Sequence, residues 1–323
     1  MTLCGLNWVS RGDTLPARSE KREARSEKYY GEGGNGMKTI YASQTGARLD
    51  SDVIRGGGTD DTEYLQRALD EAKDGGSVHL IMDGAALVRG LDVYSNTTIE
   101  CPTPACGFFL KEGSDRAVIW NKHWSLDERP DCNITLLGGT YNQNRMQQRR
   151  QTDAFPEREV LTTWDGAEYG KAYLTMGLQF VGVEHLTIRG IHIRDTQTYG
   201  LLVTNWKWCV IEDVHVAQPH LFHAQNQDGM HFLGPGQYLT IRNVGGQAGD
   251  DFIGIGADEN DRTASITDVS IDGVFLDDAD QGLSLIHIWY SPPRRMARPA
   301  WRCTCCRVSA RWRLTIRRWD AST

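Results

Sequence analysis

The sequence predicts an all-β solenoid whose coils stack into parallel sheets, and three observations predict it. Short triplets, Leu186-Thr187-Ile188, Cys209-Val210-Ile211, Leu239-Thr240-Ile241 and Val269-Ser270-Ile271, recur at spacings of 23, 30 and 30 residues. A second strand family, at 199–203, 228–232 and 251–255, lies between them. Gly, Asn and Asp separate the segments, and these residues accept tight turns most readily. Two strands in a repeat of roughly 20 to 30 residues cannot bury an apolar face alone, so neighbouring repeats must stack. A doubly wound α/β fold would need amphipathic helices between strands. Residues 177–282 contain no such pattern.

The elements follow in order. Residues 1–36 are polar, charge-mixed and aperiodic, which fits disorder. They fit an untranslated leader equally well, because Gly31-Glu32-Gly33-Gly34 is what a purine-rich ribosome-binding site before Met37 would encode. A helix is expected from Asp61 to about Lys73. Asp60 is placed to cap it, Glu63 takes the reciprocal capping-box position, and Leu65, Ala68, Leu69 and Ala72 share one face. Gly75-Gly76 ends it. Earlier coils are expected at Thr97-Thr98-Ile99 and Asn133-Ile134-Thr135-Leu136.

The solenoid is expected to occupy residues 37–282. Beyond it, Leu283-Ser284-Leu285-Ile286-His287-Ile288 resembles the translation of a transposase-derived sequencing adapter. Residues 283–323 hold nine Arg, no Lys, no Gly, Trp289, Trp301, Trp312 and Trp319, and show no apolar period. Out-of-frame GC-rich DNA reads this way, so the domain is expected to be C-terminally truncated. A coil cut there would expose an open sheet edge and aggregate. The rival reading is a basic aromatic arm for nucleic acid or membrane.

Charge is unevenly placed. Against an overall −7, residues 283–323 carry +8 and residues 1–36 carry +1, which leaves −16 on residues 37–282. An acidic body repels nucleic acid and anionic membrane, so neither is an expected partner. No apolar run is long enough to span a bilayer, and no secretory pattern opens the chain, so a cytoplasmic location is expected, with secretion open if the true start differs; a monomer is expected. Cys101 and Cys106 are separated by four residues, Cys132 and Cys209 stand alone, and paired CxxC motifs are missing. Reduced, buried thiols are expected, with no metal and no cofactor.

Asn226-Gln227-Asp228-Gly229 and Gly249-Asp250-Asp251 bring three carboxylates about one repeat apart. Stacking places equivalent positions of successive coils about 4.8 Å apart. The 22-residue step from Asp228 to Asp250 is therefore expected to set these acids on adjoining coils, facing one groove. Paired carboxylates are the usual equipment for cleaving glycosidic bonds, one protonating the leaving oxygen while the other activates water or attacks. Burial among like charges raises at least one pKa and keeps a proton available near neutrality. Asn226 is expected either to orient Asp228 or to stack as an amide ladder. His231, alternating with Asp228 along its strand, is expected to point away from it.

From Gly56-Gly57-Gly58-Thr59-Asp60-Asp61-Thr62 to Asp251 the chain resembles the pectin-lyase-like, right-handed parallel β-helix proteins, and within them glycoside hydrolase family 28, the polygalacturonases. Gly138-Gly139-Thr140-Tyr141-Asn142 resembles the family's Gly-Gly-x-x-Asp turn, and the two acidic stretches resemble its Asn-Thr-Asp-Gly and Gly-Asp-Asp. The resemblance implies an inverting hydrolysis of a polysaccharide or oligosaccharide, with Asp251 as the favoured acid and Asp228 with Asp250 as base. Gln227 stands where the family has Thr, and Phe252 where it has Cys. Its Gly-His-Gly and Arg-x-Lys motifs have no counterpart before Gly282. Asp280-Gln281-Gly282 resembles bacterial relatives instead.

Substrate contacts are expected from the long segment 143–175, where Arg145, Arg149 and Arg150 can pair with sugar carboxylates and Trp164, Tyr169 and Tyr173 can stack on rings. Two other functions fit the same solenoid. One is a non-catalytic carbohydrate-binding β-helix of the adhesin or tail-spike kind. The other is β-elimination on a uronate, which calls for a basic residue or calcium at the scissile bond.

Overall fold

The computed structural model describes residues 36–148, 176–221, 226–257, 264–286, 309–310 and 314–316. Within them the chain winds as a parallel β-helix with three faces per coil. The four triplets fall into register on one face: Leu186 pairs with Cys209, Cys209 with Leu239 and Leu239 with Val269. Thr97 pairs with Ile134, and Ile134 with Leu186, so the two earlier coils join the same stack. The second strand family forms another face, in which Leu201 pairs with Met230 and Met230 with Ile253. A third face, not anticipated from the repeats, runs through Thr140, His192, His215, Gly245 and Phe275.

Left-handed backbone makes the corners. Between the second-family and triplet faces the column Asn96, Asn133, His185, Trp208, Tyr238 and Asp268 has φ between +54° and +61° at every coil. Between the triplet and third faces, Gly138, Gly190, Asp213, Asn243 and Gly273 repeat the device. Only Gly, and to a lesser degree Asn and Asp, take this conformation readily, which explains the separators in the sequence. Trp208 and Tyr238 do not belong to that group. They are held by stacking: His185 lies 4.5 Å from Trp208 and Trp208 5.9 Å from Tyr238, with rings within 10° of parallel. Lys207 Nζ sits 4.0 Å above the Trp208 ring.

Inward residues from all three faces fill one core. Phe180, Ile188, Ile193, Val203, Ile211, Val216, Phe232 and Val244 are fully enclosed. Cys101 and Cys209 are buried, unpaired thiols, and burial pushes Cys101 up to about 12.

The N-terminal helix covers one end of this core, although its details differ from expectation. It runs Thr62–Leu69 and is followed by a 3-10 segment, Asp70–Gly75, so it ends short of Lys73. Leu65, Ala68, Leu69 and Ala72 are buried as the periodicity requires. Asp61, not Asp60, holds the cap position, and no side chain caps there. The Asp61 carboxylate turns back to accept the Arg48 and Leu49 N–H groups at 2.7 and 2.9 Å. Asp60 accepts the Thr62 N–H at 3.2 Å and pairs with Arg89 and Lys111, and Glu63 is exposed. At the other end, Ser284–Ile286 pairs with 254–256, and residues 309–310 and 314–316 run antiparallel to Ile266–Asp278.

Candidate active site

The turns that lead from the third face to the second-family face carry the acids, and stacked amides hold those turns. Gln218 Oε1 accepts the Thr196 N–H at 2.9 Å, and Gln247 Oε1 accepts the Gln218 N–H at 3.1 Å. The Gln227 carbonyl accepts the N–H groups of Gly249 and Asp250, while the Gly229 N–H donates to the Asp251 carbonyl at 3.0 Å. Phe252, in the position where the resembling family has Cys, lies beneath Gly229. A Cβ on Gly229 would meet its carbonyl oxygen at 2.7 Å and its ring at 2.9 Å. Only glycine lets the two turns approach so closely.

The strand register corrects the expected pairing of acids. Met230 faces Ile253, so the residue stacked on Asp228 is Asp251, 23 positions on, rather than Asp250 at 22. Asp250 reaches the same region from the side: its Oδ2 accepts the Asn226 N–H at 2.9 Å. Asn226 itself is left-handed, with φ +65°, and its Oδ1 accepts the Tyr199 hydroxyl at 2.9 Å. It therefore serves Asp250 and Tyr199, and neither orients Asp228 nor forms an amide ladder.

His231 is the residue that periodicity misplaced. Its Nδ1 lies 2.6 Å from Asp228 Oδ2, and both side chains are buried. Alternation fails here because Asp228 precedes the strand Met230–Gln247 and Gly229 bends the backbone between them. The Tyr199 ring stacks on the imidazole at 4.5 Å. Room for the pair comes from Gly254, which stands opposite His231 in the register and has no side chain to displace it. A histidine paired across a parallel sheet with glycine was the available signal in the sequence.

All three acids are held above the ordinary carboxylate range. Asp228 is pushed up to about 7, chiefly by burial, with His231 opposing and Asp251 and Asp250 adding like charge. Burial also leads for Asp251, pushed up to about 6; the Ser284 hydroxyl and His231 oppose, and Asp250 and Asp280 add to it. Asp250 is raised by burial and by Asp280, against the Asn226 N–H. Asp251 Oδ1 is enclosed and has no hydrogen-bond partner. Two adjoining coils thus present carboxylates that can hold a proton near neutrality, one of them beside an imidazole that can exchange it.

The expected substrate arginine is not offered outward. Arg145 is buried, and its Nη1 donates to the His220 carbonyl at 2.9 Å, which ties two turns together. A guanidinium satisfied by backbone within the fold is a poor grip for a sugar carboxylate. Arg149, Arg150, Trp164, Tyr169 and Tyr173 lie outside the described residues.

These coils and turns define the class: a parallel β-helix with an acidic cluster on two neighbouring coils. No family model matches the chain, and no curated protein matches it. Solved structures do. A hyperthermoactive exopolygalacturonase from Thermotoga maritima is 16% identical with a TM-score of 0.55, over 77% of this chain and 62% of that one. A family 28 exopolygalacturonase from Yersinia enterocolitica is 15% identical with a TM-score of 0.51, over 76% of this chain and 49% of that one. At such identities the likeness is one of fold. The chain also spans less than two thirds of either neighbour's length.

Proposed function

We propose that this β-helix is a glycosidase that hydrolyses an O-glycosidic bond of a polysaccharide or oligosaccharide, with Asp228, Asp250 and Asp251 as its acid and base groups. The observation that carries the reading is the stacked pair Asp228 and Asp251, both buried and both raised toward neutrality. Asp251 is assigned as general acid following the resemblance to the polygalacturonases, and its carboxyl, pushed up to about 6, holds a proton more firmly than an ordinary Asp. It donates that proton to the leaving glycosidic oxygen as the bond to the anomeric carbon breaks.

Asp228, with Asp250, is assigned as base: it takes a proton from the water whose oxygen attacks the anomeric carbon. His231, with Nδ1 at 2.6 Å from Asp228 Oδ2, supports that role by favouring the ionised form of the carboxyl. Attack by water in a single displacement predicts inversion at the anomeric carbon. The polygalacturonase neighbours point to a polysaccharide substrate.

The test is Asp251→Asn, assayed by reducing-end release on a panel of plant and bacterial polysaccharides. General acid catalysis supplies typically 10²–10⁴-fold, so the variant is expected to lose at least about a hundredfold on any substrate the unmodified chain cleaves. Unchanged rates on every such substrate refute the assignment. An unsaturated, ultraviolet-absorbing product would replace hydrolysis with elimination, and binding without product would replace both with a lectin-like role.

A further inference from the structure

The third face carries a cavity well separated in function from the acidic turns. It has a volume of about 450 Å³ and lies between the N-terminal segment 51–54 and the strands that bear His192 and Arg194. The segment is anchored over this face at both ends: Ser51 N–H donates to the Ala85 carbonyl, and the Val53 carbonyl accepts Asn142 Nδ2 at 2.8 Å. The cavity is therefore built into the fold rather than left by a loose loop. Its volume falls in the range of small-molecule sites.

Its polar groups are few, and its one cation is uncommitted. Among the described residues Arg194 makes no ion pair and no side-chain hydrogen bond, whereas Arg189 and Arg242 both pair with Glu212. His192, half-buried and tilted against His215 at 5.7 Å, adds an imidazole on the same wall. Asp52 supplies the opposite sign, and its carboxylate is committed to the charged form by the Ile54 and Arg55 N–H groups. Apart from Thr140, whose hydroxyl donates to the Pro104 carbonyl, the rest of the lining is mostly apolar, with Val53 and Ile54 on the segment side.

This arrangement selects a ligand. A lone cationic fork calls for a carboxylate, the fixed negative charge of Asp52 calls for hydroxyl donors, and the apolar walls call for a C–H-rich body. We infer that the cavity binds a polyhydroxylated monocarboxylate of monosaccharide size, a sugar acid, through Arg194, His192 and Asp52. The inference stands on this cavity alone and does not require the chain to be a glycosidase.

Calorimetric titration of the full chain with sodium glucuronate, with glucose as the neutral control, tests it. Glucuronate should bind at one site, glucose at least tenfold more weakly, and Arg194→Gln should weaken glucuronate at least tenfold. Asp251→Asn should leave this binding unaltered, which separates the cavity from the acidic turns. Equal affinity for glucose and glucuronate, full binding by Arg194→Gln, or loss of binding in Asp251→Asn overturns the proposal.

Discussion

Gly254→Ala tests how the His231–Asp228 pair is housed. A Cβ built there lies 2.6 Å from His231 Nδ1, 2.8 Å from Asp228 Oδ2 and 2.8 Å from His231 Cε1. Real Cβ contacts do not come so close, so the pair must move. Gly254 lacks a left-handed φ, and alanine is therefore compatible with the backbone. In such a setting the change by itself stabilises by about 0.4–1 kcal/mol through the unfolded chain. Forcing an extra methyl into a packed site costs about 1–3 kcal/mol, which leaves roughly 1–2 kcal/mol of net destabilisation. Urea unfolding followed by tryptophan fluorescence measures this, and the His231 Nδ1 chemical shift reports whether the contact has opened. Two of the three crowded atoms belong to the imidazole, so the penalty should shrink by more than half in a His231→Ala background. A variant with the wild-type midpoint and an unmoved His231 resonance would refute the geometry.

Two further outcomes are expected of the acids and of the left-handed corner. Asp228 and Asp251 bind their protons more tightly folded than unfolded, since about 7 and about 6 stand above the ordinary value of 3.8. Their protonated forms therefore favour the fold, and stability should decline as pH rises from about 4 to about 7; Asp228→Asn should flatten that decline, and urea midpoints across the range that are independent of this substitution would contradict it. At the corner, Trp208→Ala loses the stack and keeps the left-handed cost, whereas Trp208→Gly loses only the stack. With left-handed backbone costing about 1–2 kcal/mol for an ordinary residue, the glycine variant should be the more stable by about 1 kcal/mol, and equal unfolding midpoints would show that the corner is unstrained.

Much of the fold was legible because a solenoid writes its period directly into the chain. The triplets 186–188, 209–211, 239–241 and 269–271 are the register itself. The third face was less visible: its strands at His192–Arg194 and His215–Ala217 are only three residues long, too short to show alternation. The acids were found by residue type and approximate spacing. Which acid meets which depended on a single residue of register, which the pairing of Met230 with Ile253 and the Gly229 to Asp251 hydrogen bond resolve. His231 was misplaced because strand periodicity was extended through a bend. Arg145 was misjudged for a different reason: a charged residue in a long connection reads as solvated, and its backbone partner, His220, lies 75 positions away.

The left-handed corner from Asn96 to Asp268 has one more implication. Each of its six residues occupies the same position in the coil, and hydrogen bonds between coils fix the interval at about 4.8 Å. The backbone there is the same whether the residue is Asn, His, Trp, Tyr or Asp, so side-chain identity is uncoupled from main-chain path. The edge behaves as a graduated ruler, on which new groups could be mounted at known separations without redrawing the fold beneath them.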